Sequence, residues 1–238
     1  PSTNKRSPAS VGSRPALVFV VVGVALGWFA EQMGSSRGWF FGRYTYTEVL
    51  GLRLGDVPIV VPLMWFGLPF VCMVLANLIL WRRPVDASAG WVRVGLTAFF
   101  AAMLITAFDL GADPYFVYVL KAWIMEKPGG GWFGETLQGF VGWMVVCFAV
   151  VMVFRMAAPA LLSALPATPV TRRAVLVPLL IYGGEMVFQA IWGYNIQTLS
   201  CVGYDHNWVR GYSYADDVAP LLPKGTILHI IGYFDNTP

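Results

Sequence analysis

The sequence predicts an all-α integral membrane bundle of about five transmembrane helices, with a short β-type extramembrane segment at its C-terminal end. Three observations lead there. Of the 238 residues, 57% are hydrophobic and only 12% are charged, about half the roughly 25% charged content of soluble domains. The mean hydropathy is +0.63, which assigns most of the polypeptide to lipid. The apolar residues also gather in five runs that approach or reach the about 20 residues needed to cross a hydrocarbon core. The net charge of +3 is small and points to no nucleic-acid partner.

Residues 1–15, PSTNKRSPASVGSRP, are polar, basic and rich in Ser and Pro, and they read as a disordered lead-in. No small-residue cleavage site follows, so the next apolar run reads as a retained first helix. The predicted spans are residues 16–33, 57–81, 91–111, 132–155 and 174–193 within a transmembrane domain of residues 16–193. Each has to be a helix, because a lipid-facing backbone finds no water to pair with. Pro58, Pro62 and Pro69 predict a kink in the second span, and Pro178 a bend in the fifth. Residues 194–238 change character, with strand-like runs such as 227–231 broken by PKG and DN turn signals. So short a β segment cannot bury a core alone. It reads as a truncated piece of a larger domain or as an element packed on the outer face of the bundle.

Charge sets the expected orientation. Lys5, Arg6, Arg14, Arg82, Arg83, Arg93, Arg155, Arg172 and Arg173 share the side of the N-terminus, against Arg37, Arg43, Arg53, Lys121 and Lys127 on the other. That bias predicts a cytoplasmic N-terminus in a bacterial inner membrane and an extracytoplasmic tail. The acids divide more sharply. Glu31, Glu48, Asp56, Asp109, Asp113, Glu126 and Glu135 fall on the outer side, Asp86 alone on the inner side, and Glu185 near the middle of the fifth span.

An ionisable group at the centre of a span costs at least ~2.5–3.5 kcal/mol. Glu185, in IYGGEMVFQAIW, is therefore a functional candidate, against a reading in which it pairs with Gln189 or a buried Tyr. Glu31, in GWFAEQMG, is either functional or a snorkelling interfacial acid. Asp109 and Asp113, in AFDLGADPYFVYVLKAW, share one face if the helix continues. Alternatively, Asp113-Pro114 caps a new segment, residues 115–126. Two such carboxyls repel, and a dry wall disfavours charge, so that one of them is left protonated and able to donate. Trp28, Trp39, Phe40, Phe41, Tyr44, Tyr46, Trp65, Trp123, Trp132, Phe133 and Trp143 lie at the same level. They form either the interfacial aromatic belt or a slot for a flat apolar ligand whose walls stabilise a cation. Cys72, Cys147 and Cys201 read as structural thiols. The sequence has no phosphate-binding Gly loop, metal-ligand spacing or Ser-His-Asp set, and its histidines, His206 and His229, lie in the tail.

The stretch GWFAEQMGSSRGWFFGRYTYTEVLGLRLGDVPIVVPLMWF resembles the opening of the membrane carotenoid hydratase family, which includes the bisanhydrobacterioruberin hydratases. It has a Glu near a helix end, a Gly/aromatic stretch, a Leu-Gly step, a Val-Pro and an apolar helix with a Trp. AFDLGADPYFVYVLKAWIMEKPGGGWFGETLQGFVGWM is similar to the second signature, with Asp-Leu, Asp-Pro, a Trp, a Gly-rich turn and a closing Gly-Trp. Together they cover about residues 26–144. The resemblance implies an all-helical hydro-lyase of carotenoid biosynthesis, which adds water across the terminal 1,2 double bond of an acyclic, lycopene-like carotenoid and makes a tertiary alcohol without a redox cofactor. Glu31, Asp109 and Asp113 match its acidic positions. Residues 197–238 resemble part of a copper type II, ascorbate-dependent monooxygenase-like domain, without its paired-His motif or Met ligand, so no metal site is assigned.

Hydrating a trisubstituted alkene requires a protonated carboxyl, a group that holds water, and aromatic faces around a tertiary cation. Glu31, Asp109, Asp113 and Glu185 are the catalytic candidates, and Trp28, Trp39, Tyr44, Tyr46, Trp65, Trp123, Trp132 and Trp143 the substrate-binding ones. A polyene dissolved in the bilayer would enter sideways and bring its end to the water layer. Two other readings stand beside this one. The first is a non-catalytic pigment-binding or accessory subunit of a larger membrane complex, such as a photosynthetic one. The second is a membrane-anchored fragment of a copper oxidoreductase.

Overall fold

The computed structural model describes residues 8–126, 136–162 and 176–189. Its frame is four helices, α1 (Pro8–Arg37), α2 (Val60–Trp81), α3 (Trp91–Pro114) and α4 (Leu137–Ala157), and each contains a stretch long and apolar enough to cross a membrane. These are the first four expected spans. After α5 (Pro159–Leu162) comes a further apolar helix, α6, described over Leu176–Phe188, within the fifth expected span. Trp132, Phe133, Glu135, Cys201, His206, His229 and the whole tail from residue 194 lie outside the described residues.

The four long helices close a ring, with α1 on α2, α2 on α3, α3 on α4 and α4 back on α1. Lipid offers little hydrophobic drive for such packing, so close contact through small residues has to supply it. On α1 that contact falls at Gly23 and Gly27, four residues apart. A Cβ on Gly23 would lie 3.0 Å from the Phe66 backbone, and one on Gly27 would collide with the base of the Trp65 side chain. The next residue on that face is Glu31, which is thereby carried to the Trp65 indole. Deeper in the ring, Phe19 meets Phe154 edge-on with centroids 4.7 Å apart. α6 packs on α2 and is tied to α3 by two bonds: the Tyr182 hydroxyl donates to the Leu104 carbonyl at 2.8 Å, and Gln189 Nε2 to the Phe108 carbonyl at 2.6 Å.

Several local expectations change. α1 already covers residues 8–15, inside the stretch read as a lead-in. Of the proline kinks expected in the second span, Pro58 precedes the helix, Pro62 stands in its first turn, and only Pro69 is interior. First-turn prolines remove no intrahelical bond, so they do not kink the helix. Asp113-Pro114 starts no new helix either. α3 runs through Pro114 and continues as a wide π-helical turn, Tyr115–Val119.

The α1–α2 connection holds β1 (Tyr44–Tyr46) and a hairpin of β2 (Arg53–Leu54) and β3 (Val57–Pro58). The connection after α3 supplies β4 (Trp123–Met125), which pairs antiparallel with β1 so that Tyr46 faces Trp123. Asp86 belongs to the α2–α3 connection. It accepts from Arg93 Nε at 2.9 Å and from Arg155 Nη2 at 3.4 Å, and Arg155 also donates to the Ser88 carbonyl at 2.7 Å. Arg155 is only 3% exposed.

Removing one partner of a buried ion pair costs about 3–5 kcal/mol, because the other charge stays buried. Asp86→Ala should lower the stability of the bundle by that amount in mixed-micelle SDS unfolding, and Arg155→Met added to it should restore most of the loss.

Candidate active site

Glu31 stands near the C-terminal end of α1 and is 4% exposed, so it does not snorkel to water. Its two oxygens accept three donors: Trp65 Nε1 on Oε1 at 2.6 Å, the Tyr46 hydroxyl on Oε2 at 2.7 Å, and the Tyr44 hydroxyl on the same oxygen. The Tyr-Thr-Tyr alternation of β1 makes this possible. In a strand, residues two apart share a face, so both phenols turn inward while Thr45 is exposed. Every group that converges on Glu31 here donates, an arrangement that suits the acceptor-only carboxylate and gives the stronger, charge-assisted bonds. Burial, and after it the neighbouring Glu31 charge, pushes both phenols well above their ordinary pKa. They therefore remain O–H donors through neutral and mildly alkaline pH.

Asp113 comes from α3, across the ring. It is buried, and its Oδ1 accepts from Trp123 Nε1 at 3.2 Å. The β1–β4 register places the two acids in one site. Tyr46, bonded to Glu31, is the cross-strand partner of Trp123, bonded to Asp113, and their rings meet edge-on with centroids 6.0 Å apart. Glu31 and Asp113 both line a cavity of about 490 Å³, within the usual small-molecule range of about 300–1,000 Å³. Phe41, Phe116, Trp123 and Trp143 contribute aromatic surface to it. Trp143 stacks on Trp65 at 4.6 Å, and Phe116 on Trp123 at 5.2 Å. The lining also includes Arg43 and Glu126, an exposed pair 3.9 Å apart. The cavity thus has a wet rim and a dry interior.

Of the residues singled out in the sequence, Glu31, Asp113, Tyr44, Tyr46, Trp123 and Trp143 line this cavity, and Trp65 holds Glu31 from beneath. Asp109 is buried one turn from Asp113 on the same helix but is not part of the lining. Trp28 donates to the Leu54 carbonyl at 3.0 Å and Trp39 is 51% exposed; neither lines the cavity. Glu185 lies on α6, where it lines a second cavity. Gln189, one turn on, donates its amide to the Phe108 carbonyl at 2.6 Å. Tyr44 and Tyr46, read as ligand walls, serve chiefly as donors to Glu31, and their two-residue spacing was the available signal. Met64 and Phe116 carry no polar mark, and nothing in the sequence singled them out.

Against known proteins, the chain matches the family model described as carotenoid biosynthesis protein over residues 5–203. It is also 34% identical over 125 residues to the bisanhydrobacterioruberin hydratase of Haloarcula japonica, an alignment covering 52% of this chain and 39% of that protein. The chain therefore spans about two fifths of the length of that relative. No solved structure matches. The family match takes in most of the chain, including the helices that carry both acids, and the chain belongs to the carotenoid biosynthesis protein family.

Proposed function

We propose that this protein hydrates the terminal 1,2 double bond of an acyclic, lycopene-like carotenoid by protonation and water capture. The observation that carries the reading is the meeting of two buried carboxyls, from helices across the ring, at one aromatic-lined cavity with a wet rim. The family match and the relative named as a hydratase support it.

In this mechanism a protonated Asp113 gives its proton to the less substituted alkene carbon. The π pair becomes the new C–H bond and leaves a tertiary cation on the neighbouring carbon. The faces of Phe41 and Trp143 and the Glu31 carboxylate stabilise that cation. Water from the rim adds to it, and the surplus proton passes to Glu31. Both acids line one cavity, so water within it carries the proton from Glu31 back to Asp113. The balance is one water added and no redox change. With the N-terminus in the cytoplasm, the rim faces the extracytoplasmic side of a bacterial inner membrane.

In a lycopene-accumulating host, pigment analysis by mass spectrometry should show product heavier by one water. Asp113→Asn should lower its formation by on the order of 10²–10⁴-fold, the usual contribution of a general acid, while Asp109→Asn should cost much less. Glu31→Gln keeps an acceptor for the Trp65 indole, so the protein should still accumulate in the membrane and yet lose hydration. Tyr46→Phe removes a bond to a charged group worth about 1.5–3 kcal/mol and should slow turnover by roughly 10- to 100-fold. Pigment that is bound but left intact by the unmodified protein would instead mark a pigment-binding subunit.

A further inference from the structure

We propose that the second cavity, between α2, α3 and α6, holds the polyene rod of the substrate, and that Met64 and Phe116 form the gate through which its end reaches the acids. The inference rests on the hydration reading and adds to it the route by which substrate arrives.

An acyclic carotenoid is a stiff conjugated rod many times longer than its end group. With its end between Glu31 and Asp113, the rest has to leave the first cavity somewhere. The rim is one exit, but there the rod would pass Arg43, Glu126 and Gln138 and stay in water, at a cost of about 25 cal/mol for each Å² of apolar surface. The other exit is dry. Met64 and Phe116 line the first cavity and also a second one of about 430 Å³. Leu68, Phe108, Ala112, Tyr115 and Phe188 make that second cavity largely apolar, with Glu185 and Gln189 its polar members. Methionine is unbranched with three rotatable bonds, and Phe116 belongs to the π-helical turn, a helix form that recurs at functional sites. Both are suited to moving aside.

The second cavity also reaches the surface of the bundle. Gly184 and Phe188 line it and are exposed, on an apolar helix packed against two of the spanning helices. Gly184 is a separate pointer. A Cβ built there meets nothing within 4 Å, so no described neighbour requires a glycine, although glycine inside a helix costs roughly 0.5–1 kcal/mol relative to alanine. Among the described residues, the missing side chain leaves room beside α6 for the rod. A rod lying there would have lipid on one side and the gate on the other, so that polyene and water approach the acids from different directions.

The test fills the channel without touching either carboxyl. Purified protein in micelles is given lycopene or a short acyclic isoprenoid with the same dimethyl-substituted terminal double bond, and both bound lycopene and hydrated product are measured. Gly184→Trp should lower lycopene binding and hydration by about tenfold or more, as loss of an enclosing apolar site predicts, and leave the short probe at the unmodified rate. Gly184→Leu should give an intermediate loss. Leu180→Trp, on the same helix at a position 73% exposed, should change neither substrate. Equal treatment of both substrates by Gly184→Trp and the unmodified protein would overturn the channel, as would equal loss of both in a folded variant. If the unmodified protein hydrates neither substrate while Gly184→Trp still expels bound lycopene, the hydration reading falls and the channel stands.

Discussion

A carboxyl group placed among apolar helices has to find its solvation inside the protein, and meeting that need at Glu31 organises one whole end of this molecule. The donors come from two elements, an indole on α2 and two phenols on β1. The indole is in reach because Gly23 and Gly27 let α1 and α2 approach almost backbone to backbone. The phenols are in reach because β1 is held by β4. A two-stranded ribbon is marginal by itself in water, and here its inward phenols bind a buried acid that anchors it. The same pairing carries Trp123, and with it the hold on Asp113, so the second acid is placed by the device that solvates the first.

The bundle buries another carboxyl, Asp86, and solvates it in a different way. Asp86 meets the guanidinium groups of Arg93 and Arg155, which neutralise it and fasten the α2–α3 connection to two helices. No room for a ligand is associated with that network in the two cavities described. Glu31 meets only neutral donors among its hydrogen-bond partners, which solvate a negative charge without cancelling it, and it faces a cavity. Burial is shared by the two sites. The sign of the partners distinguishes them.

Much of the frame was legible along the chain. The four long helices follow from apolar run length alone, since a backbone in lipid has no alternative to helix. The acids at helix ends were equally visible, as charges whose placement in an oily segment is expensive. The shorter elements were harder. Residues 115–126 were open to more than one reading because a π-turn and a strand share the same aromatic composition, and strand pairing depends on a partner distant in the chain. Pro58 and Pro62 lost their predicted effect once the start of α2 was known, because a proline bends a helix only where it interrupts an internal bond.

The sequence by itself determined which residues lipid surrounds and which carboxyls lie near the same membrane level, because hydropathy and run length report how each segment must be solvated. Tertiary structure alone decided that Glu31 and Asp113 share a cavity whose lining leaves out Asp109, and that Tyr44 and Tyr46 are donors first and walls second. The reason is rotational. A helix can cross the bilayer in any orientation about its axis, and only contacts with its neighbours, such as Gly27 against Trp65 or Tyr46 across from Trp123, choose which face looks inward.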